Sequence, residues 1–212
     1  MYVRFDIITI FPNFFKSFLN ESLISRAQKN KLLKINVHNL RDWTNDRHQT
    51  VDGKPFGGGP GMVLKIEPIY KAVRKIKNKN KKTKVILFSP RGKKFDQKMA
   101  QKLAKFDQII MISGRYEGVD ERVAKYIADE IVSVGDFVMS GGEVPAMVVI
   151  ETISRLIPGV VGKQESVEKF DHAQYSRPEV FITKEGKRLS VPKVLLSGNH
   201  KKIEEWRKNH SD

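Results

Sequence analysis

The sequence predicts an α/β fold with a mainly parallel sheet, and two observations lead to this prediction. Between residues 85 and 157, short apolar runs typical of buried strands alternate with longer segments whose apolar residues recur at helical spacing. A strand, a helix and a second strand in succession favour parallel pairing, because parallel neighbours need a long crossover connection. The chain of 212 residues is long enough for one such domain and a small appendage.

The individual elements follow from local patterns. Alternating apolar residues begin the chain as a strand, and phenylalanines at helical spacing after Pro12 indicate a helix. Residues 41–62 are irregular and rich in glycine, and a loop of this length within a compact domain usually has a function. The connector 77–84, KNKNKKTK, is expected to be a solvated loop. In chain order, the predicted elements are strand 3–10, helix 14–19, strand 33–40, helix 68–76, strand 85–88, helix 94–105, strand 108–112, helix 123–128, strand 130–134 and helix 144–157.

We predict that the chain has three parts. Residues 1–158 form the main domain, and residues 159–176 form a linker, since they lack apolar periodicity. Residues 177–212 form a small helical C-terminal domain with an apolar run at Val191–Leu196 and a helix that carries Trp206. A segment this short buries too little apolar surface to fold alone, so it must pack on another surface.

The excess of positive charge indicates a polyanionic partner. The 39 Lys and Arg residues exceed the 24 Asp and Glu residues and give a formal net charge of +15. Such a charge attracts a nucleic acid from a distance and makes its binding depend on salt. The alternative is that the abundant lysine reflects the composition of the source genome and serves solubility.

The composition also excludes several kinds of site. Without cysteine, the chain has no disulfide, thiolate nucleophile or cysteine-ligated zinc. Its five histidines are scattered, with no pair at metal-ligand spacing, so we expect no structural metal site. No apolar stretch reaches the roughly 20 residues that a membrane-spanning helix needs, and the N-terminus lacks the pattern of a secretion signal. We therefore expect a cytoplasmic protein that does not bind membranes.

Three glycine-containing segments each follow a predicted strand, at residues 89–92, 113–118 and 133–143. Parallel α/β proteins bind ligands at the carboxyl ends of their strands, and glycines let the main chain approach a planar ligand closely. We therefore expect a ligand pocket here, although each segment alone could be a simple turn. The run at 57–62 lacks the third glycine of a dinucleotide fingerprint and no phosphate-binding loop follows it, which disfavours a nucleotide-phosphate enzyme. The chain also shows no nucleophile elbow.

Six motifs occur in order along nearly the whole chain: GGGPGM (57–62), SP-x-G (89–92), SGRYEGVDER (113–122), VGDFVMSGGEVPAM (134–147), RLIPGVVG (155–162) and YSRPEV (175–180). In this combination the sequence closely resembles the bacterial tRNA (guanine-N1)-methyltransferases of the SPOUT superfamily. The resemblance implies a deep trefoil knot, a rare exception to the rule that chains do not thread. It also implies a homodimer whose active site is shared across the interface.

The resemblance further implies an activity and its ligands. The activity is methylation of N1 of the guanine that follows the anticodon, position 37 of tRNA. S-adenosylmethionine is the implied methyl donor, and the family suggests a requirement for magnesium. The implied RNA-binding residues are His48, Lys54, Gly58, Gly59 and Arg177. The implied cofactor-binding residues are Leu87, Ser89, Pro90, Arg91, Gly114, Tyr116, Glu117, Ser133, Val134, Gly135, Phe137, Met139, Gly141, Gly142 and Pro145.

Methyl transfer to guanine N1 needs a carboxylate base near N1 and a cation or N–H donor that stabilises negative charge on O6. By resemblance, Arg155 is the cation and Glu117 lies near the guanine or the donor. Without the family, Arg155 would be read as a helix-end arginine favoured by the helix dipole. The base is expected in a linker that is shorter than in typical members. Aligned backwards from Arg177, the acidic residue at the base's position is Asp171, and Glu168 is the next candidate.

Two smaller departures from the family pattern are Arg91, where many members carry glutamine, and Phe137, where many carry tyrosine. Neither is expected to prevent cofactor binding. Two other functions are kept as alternatives. A different SPOUT methyltransferase, acting on ribosomal RNA or a ribose hydroxyl, would not be expected to combine SGRYEG with YSRPEV. A non-catalytic basic RNA-binding protein would have no saturable site for S-adenosylmethionine.

Overall fold

Five parallel strands form the central sheet of the protein, which was analysed as a computed structural model that describes residues 3–162 and 172–210. The sheet order is β2-β1-β6-β5-β7, and every neighbouring pair is parallel, which confirms the predicted α/β fold with a mainly parallel sheet. The short strands β3 and β4 pair antiparallel with each other. The strands are β1 (Val3–Thr9), β2 (Leu33–Asn39), β3 (Asp52–Gly53), β4 (Val63–Leu64), β5 (Thr83–Lys94), β6 (Gln108–Ile112) and β7 (Glu130–Ser133).

Helices cover both faces of this sheet, which explains why its strands are almost continuously apolar. One face packs on α2, α4 and α6, and the other packs on α3 and α5. Strand residues alternate between the two, so that Phe5 and Ile7 contact the first group while Ile8 contacts the second. The helices are α1 (Lys16–Asn20), α2 (Ser22–Lys29), α3 (Ile66–Ile76), α4 (Gln97–Leu103), α5 (Glu121–Tyr126) and α6 (Glu143–Arg155), with 3-10 helices at Pro12–Phe15 and Leu40–Trp43.

The segment SPRG, predicted as a loop, is instead a bulge inside the long strand β5. Phe88 and Lys93 both pair with Val132 of β7, and the residues between them bulge out of the ladder. A Cβ atom at Gly92 would lie 2.6 Å from the main-chain nitrogen of Val132, so only glycine fits against the neighbouring strand. The predicted helix at 94–105 was also too long. It begins at Gln97 because Asp96 caps it, with Oδ1 accepting from the Met99 N–H at 2.7 Å.

The chain divides into two compact units, Met1–Gly162 and Lys163–Asp212. The described part of the second unit contains a hairpin of β8 (Val180–Ile182) and β9 (Arg188–Ser190), followed by α7 (Lys193–Leu196) and α8 (His200–Asn209). The prediction of a purely helical segment missed the hairpin, whose strands are only three residues long. Every described side chain of this unit remains at least partly exposed. Over residues 3–162 and 172–210, no helix is long and apolar enough to cross a membrane.

A buried carboxylate, Asp6, joins three strands towards the amino end of the sheet. It is fully buried, and its oxygens accept hydrogen bonds from Arg4 (2.9 Å), Asn36 (2.9 Å) and Gln108 (2.7 Å), while His38 Nε2 lies 2.8 Å from Oδ1. Burial raises the pKa of Asp6, but hydrogen bonds from His38, Arg4, Gln108 and Asn36 outweigh it and lower the pKa below its ordinary value. Asp6 is therefore ionised in the folded protein at neutral pH.

We expect Asp6→Asn to lower the free energy of unfolding at pH 7 by about 1.5–3 kcal/mol, because hydrogen bonds to a charged group are lost. Since the folded-state pKa is depressed, the ionised carboxylate stabilises the fold above its unfolded pKa of about 3.9, and this stability is lost as the pH falls through the folded pKa. The difference between wild type and variant in urea unfolding should therefore shrink as the pH falls from about 5 to 3. Asp42→Asn, at an exposed carboxylate, is the control and should have little effect. A pH-independent difference would contradict this assignment.

Candidate active site

A cavity of about 410 Å³ lies where β6 and β7 end and where β5 bulges. Its walls come from the three glycine-containing segments that the sequence singled out. Every residue of the predicted cofactor set, from Leu87 to Pro145, lines this cavity. The lining residues that sequence reasoning missed are Phe88, Arg115, Gly118, Val119, Glu121, Ala124, Ile131, Val132, Val138 and Ser140. Arg115, Gly118, Val119, Glu121, Val138 and Ser140 fall within the quoted motifs at 113–122 and 134–147, which contained their signal, whereas the other four lie outside every quoted motif.

Main-chain atoms of the second and third segments are in direct contact. The N–H of Gly142 donates to the carbonyl of Gly114 at 3.0 Å, and Arg115 forms an isolated antiparallel bridge with Gly141. A Cβ atom at Gly142 would lie 2.7 Å from Cα of Ser113, so any larger residue would force the segments apart. This close main-chain contact sets the spacing between the two segments in this part of the cavity wall.

Two exposed ion pairs lie at the rim of the cavity. Arg91 Nη2 is 2.8 Å from Glu121 Oε2, and Lys94 pairs with Asp136. Pairs this exposed contribute little to stability, but the first explains how arginine is accommodated where relatives were expected to carry glutamine. At the other departure from the family pattern, the ring of Phe137 covers Gly135, where a Cβ atom would lie 2.2 Å from a ring carbon.

Glu117, the predicted acidic residue of the second segment, is exposed and lines the cavity. Its N–H donates to the carbonyl of Met62 at 3.0 Å, and a Cβ atom at Gly61 would lie 2.5 Å from its Cγ. The GGGPGM run therefore contacts the cavity wall directly, in addition to any contact with RNA. The preceding residue, Tyr116, has a φ of 60°, a left-handed conformation that is costly for a non-glycine residue and is often found at functional sites.

Arg155 is the last residue of α6 and is exposed. The first residue of the same helix is Glu143, which comes directly after the cavity-lining residues Gly141 and Gly142 in the sequence. With a rise of about 1.5 Å per residue, the 13-residue helix places Arg155 roughly 18 Å from Glu143. The structure thus does not bring Arg155 to the cofactor cavity of its own chain. The predicted base Asp171 and the second candidate Glu168 lie outside the described residues.

The predicted RNA-binding residues of the first unit lie together on one exposed stretch. His48, Lys54, Gly58 and Gly59 are all exposed. Lys54 also lines a second cavity, of about 890 Å³, whose other basic residues are Lys65, Lys71 and Arg122. Arg177 is exposed in the second unit.

A metal site is harder to place. Within residues 3–162 and 172–210, no group of three or more His, Asp or Glu side chains converges to hold an ion. The described residues thus show no such site for the magnesium that the resemblance implied.

The sequence motifs contained one buried pair whose importance was missed. Arg115 Nε donates to Glu143 Oε2 at 2.9 Å, and the pair is almost completely buried. Glu143 Oε1 accepts a further hydrogen bond from Thr9 Oγ1 at 2.7 Å. Sequence alone gives no sign that these residues meet, because 28 positions separate Arg115 from Glu143 and 134 separate Thr9 from Glu143.

Fold and site together define a strongly basic, parallel α/β protein with a cavity at the carboxyl ends of its strands, where proteins of this class bind small ligands. A family model described as tRNA (Guanine-1)-methyltransferase TrmD matches residues 3–212. The chain belongs to this family of methyltransferases.

Relatives that carry the name tRNA (guanine-N(1)-)-methyltransferase match nearly the whole chain. The relative from Dictyoglomus turgidum is 48% identical, over 99% of this chain and 85% of its own length. The relative from Carboxydothermus hydrogenoformans is 46% identical, over 99% and 83%. The relative from Mycoplasmopsis synoviae is 47% identical, over 97% and 90%. The similarity therefore covers both units of the chain.

Proposed function

We propose that this protein transfers the methyl group of S-adenosylmethionine to N1 of the guanine at position 37 of tRNA, next to the anticodon. The observation that carries the proposal is that all three motif segments wall one cavity, in a chain that belongs to the methyltransferase family over residues 3–212. By family resemblance, these segments also form a deep trefoil knot. An experimental trace of the chain in a crystal would test the knot.

The cavity suits S-adenosylmethionine in size and chemistry. Its volume of about 410 Å³ lies within the range of small-molecule pockets. Gly92 and Gly142 sit where a Cβ atom would meet a neighbouring main chain, so the segments that wall the cavity pack closely there, and the lining offers both polar and apolar groups to an adenine ring. When bound, S-adenosylmethionine supplies a methyl group on a positively charged sulfur. The cavity's task is to hold that methyl group in line with guanine N1.

Three side chains are assigned to the acceptor. The carboxylate of Asp171 takes the proton from guanine N1, which then attacks the methyl carbon as the carbon–sulfur bond breaks. The guanidinium of Arg155 stabilises the negative charge that develops on O6 while the proton leaves. Glu117, at the cavity wall, orients the guanine relative to the donor.

The position of Arg155 supports a homodimer. Because α6 holds Arg155 roughly 18 Å from Glu143, at the cavity end of the helix, the proposed role of Arg155 requires that it reach the guanine from a second subunit. An exposed apolar surface supports this assembly. Val144 and Val148 are neighbours on α6, and Phe11 and Phe14 belong to the 3-10 segment that α6 contacts.

The tRNA is bound by exposed basic and glycine-rich segments. His48, Lys54, Gly58 and Gly59 lie on the stretch that also contacts Glu117 through Gly61 and Met62. These contacts support an RNA-binding stretch beside the proposed cofactor cavity. Arg177 of the second unit and the net charge of +15 add phosphate contacts.

Calorimetry and a methyl-transfer assay test the activity. We expect saturable binding of S-adenosylmethionine, and methylation at N1 of a tRNA transcript that has guanine after the anticodon, but not of one with adenine there. Affinity for tRNA should fall steeply with salt while that for the cofactor hardly changes, because only the polyanion releases counterions. Absence of a saturable cofactor site would favour a plain RNA-binding protein. Methylation of ribosomal RNA, or of a ribose hydroxyl instead, would favour the other SPOUT activity.

The base and the cation should respond differently to pH. Asp171→Asn keeps the size of the side chain but removes the proton acceptor, so kcat should fall by roughly 10²- to 10⁴-fold with little change in cofactor affinity. Raising the pH should partly restore activity, because guanine N1 then ionises without help. Arg155→Ala should lose a similar factor that pH does not restore, since the charge on O6 still lacks its partner. Full activity of Asp171→Asn would exclude it as the base and make Glu168→Gln the next variant.

Sedimentation tests the dimer. The wild type should sediment as a particle of twice 24.3 kDa at micromolar concentration. Val148→Glu should dissociate it, because a charge would have to be buried in an apolar interface. Tyr126→Glu, at a more exposed aromatic residue on α5, is the matched control and should remain dimeric. A wild-type protein that sediments only at 24.3 kDa would contradict the shared active site.

A further inference from the structure

The ion pair of Arg115 and Glu143 links two walls of the cavity. Arg115 belongs to the segment after β6, and Glu143 begins α6 directly after the third segment. The Arg115 side chain is 15% exposed and the Glu143 side chain is fully buried. Both carboxylate oxygens of Glu143 accept hydrogen bonds, one from Arg115 and one from Thr9 at the end of β1. The pair therefore joins three segments of the chain that are far apart in sequence.

Aromatic rings hold the guanidinium of Arg115 from another direction. Its Cζ atom lies 4.8 Å from the ring centroid of Phe11 and 5.0 Å from that of Phe14. Cation–π attraction at these distances favours the charged group over a ring face. The Thr9 hydroxyl also accepts from the N–H of Phe11 at 2.9 Å, so the rings are tied to the same network. Carboxylate and rings together leave Arg115 little freedom to move.

Gly141, in the third segment, lies so close to this ion pair that no side chain would fit there. A Cβ atom at Gly141 would lie 2.2 Å from Arg115 Nε and 2.6 Å from Glu143 Oε2. The main chain of Gly141 is at the same time paired with that of Arg115. The two segments are thus joined by their main chains and by an ion pair directly beside that contact. Without the main-chain pairing and the ion pair, these glycine-rich segments would sample many conformations.

We propose that Arg115 and Glu143 are positioning residues for the cofactor, an inference that rests on the proposed function. The ion pair fixes the spacing between residues 114–118 and 139–142, so that the peptide groups lining the cavity are ordered before S-adenosylmethionine binds. A pair of apolar residues would stabilise the fold as well as a buried ion pair does, or better. The directional contacts of the pair, placed at the seam between two cavity walls, instead fix geometry.

The test compares cofactor affinity with stability. Arg115→Met and Glu143→Gln each remove one charge with little change in size, and both should raise the KM and Kd for S-adenosylmethionine by roughly 10- to 100-fold, as expected for a displaced binding geometry. At saturating cofactor, kcat and the KM for tRNA should change by a smaller factor than the Kd for S-adenosylmethionine, because the bound cofactor holds the two segments together and, of the residues assigned to the acceptor, only Glu117 lies in them. Arg115→Lys keeps the charge and should recover part of the lost affinity.

Asp6→Asn is the matched control, because it removes another buried charge of the same unit, at the amino end of the sheet. It should lose stability in urea but keep the wild-type Kd for the cofactor. If it weakens cofactor binding as much as Arg115→Met does, the effect is general destabilisation and the inference is overturned. Wild-type affinity in both Arg115→Met and Glu143→Gln would overturn it as well.

A double variant separates the ion pair from simple filling of space. Arg115→Met combined with Glu143→Leu should regain stability relative to the single variants without regaining cofactor affinity. Recovery of both would mean that volume alone sets the spacing, which contradicts the inference. A wild-type protein that does not bind S-adenosylmethionine would instead contradict the proposed function, and calorimetry on the unmodified chain distinguishes the two failures.

Discussion

Main-chain atoms of neighbouring segments meet without intervening side chains on the wall of this protein's cavity, and the rest of the site depends on that contact. Gly92 lies against the main chain of β7, and Gly142 lies against that of Ser113. No other residue fits at these two positions without moving a main chain. Because close main-chain packing sets the spacing of these segments, the shape of this part of the wall depends on chain path more than on side-chain identity. Neither contact depends on the side chains of Arg91 or Phe137.

Buried charge is used in two different ways in the first unit. Asp6 accepts hydrogen bonds within the sheet and joins β1, β2 and β6 at the amino end of the strands. Glu143 does the equivalent at the carboxyl end, but its partners come from loops and from the end of a strand. Both carboxylates are fully buried, so each is costly unless all its oxygens are satisfied. Because of where they lie, Asp6 contributes to the stability of the sheet, whereas Glu143 contributes to the geometry of the cavity.

The sequence predicted the parts of this structure that depend on local pattern. Strand and helix periodicity found the sheet and most helices, because both faces of each central strand are buried. Periodicity failed to predict the structure where contacts between distant parts of the chain determine it. The strand β5 continues through SPRG because β7 pairs with it on both sides of the bulge, which no local signal announces. The hairpin at Val180–Ser190 was missed because its strands are too short for alternation to be visible.

The candidate site shows the same division. The residues that the family motifs assign to the cofactor line one cavity, because they belong to short contiguous segments at strand ends. The partnership of Arg115 with Glu143 could not be anticipated, since it depends on how two loops lie against each other. The separation of Arg155 from the cavity was hidden for a related reason, as it follows from the length of α6 and not from any motif.

The length of α6 also limits how this chain can diverge. Deleting one residue from the helix would turn Arg155 by about 100° around the helix axis relative to Glu143, and would shorten their separation by only about 1.5 Å. Even a small deletion there would thus redirect the side chain almost completely, whereas an irregular segment can lose residues without rotating the elements beyond it. Insertions and deletions should therefore accumulate after Gly162 and be rare between Glu143 and Arg155.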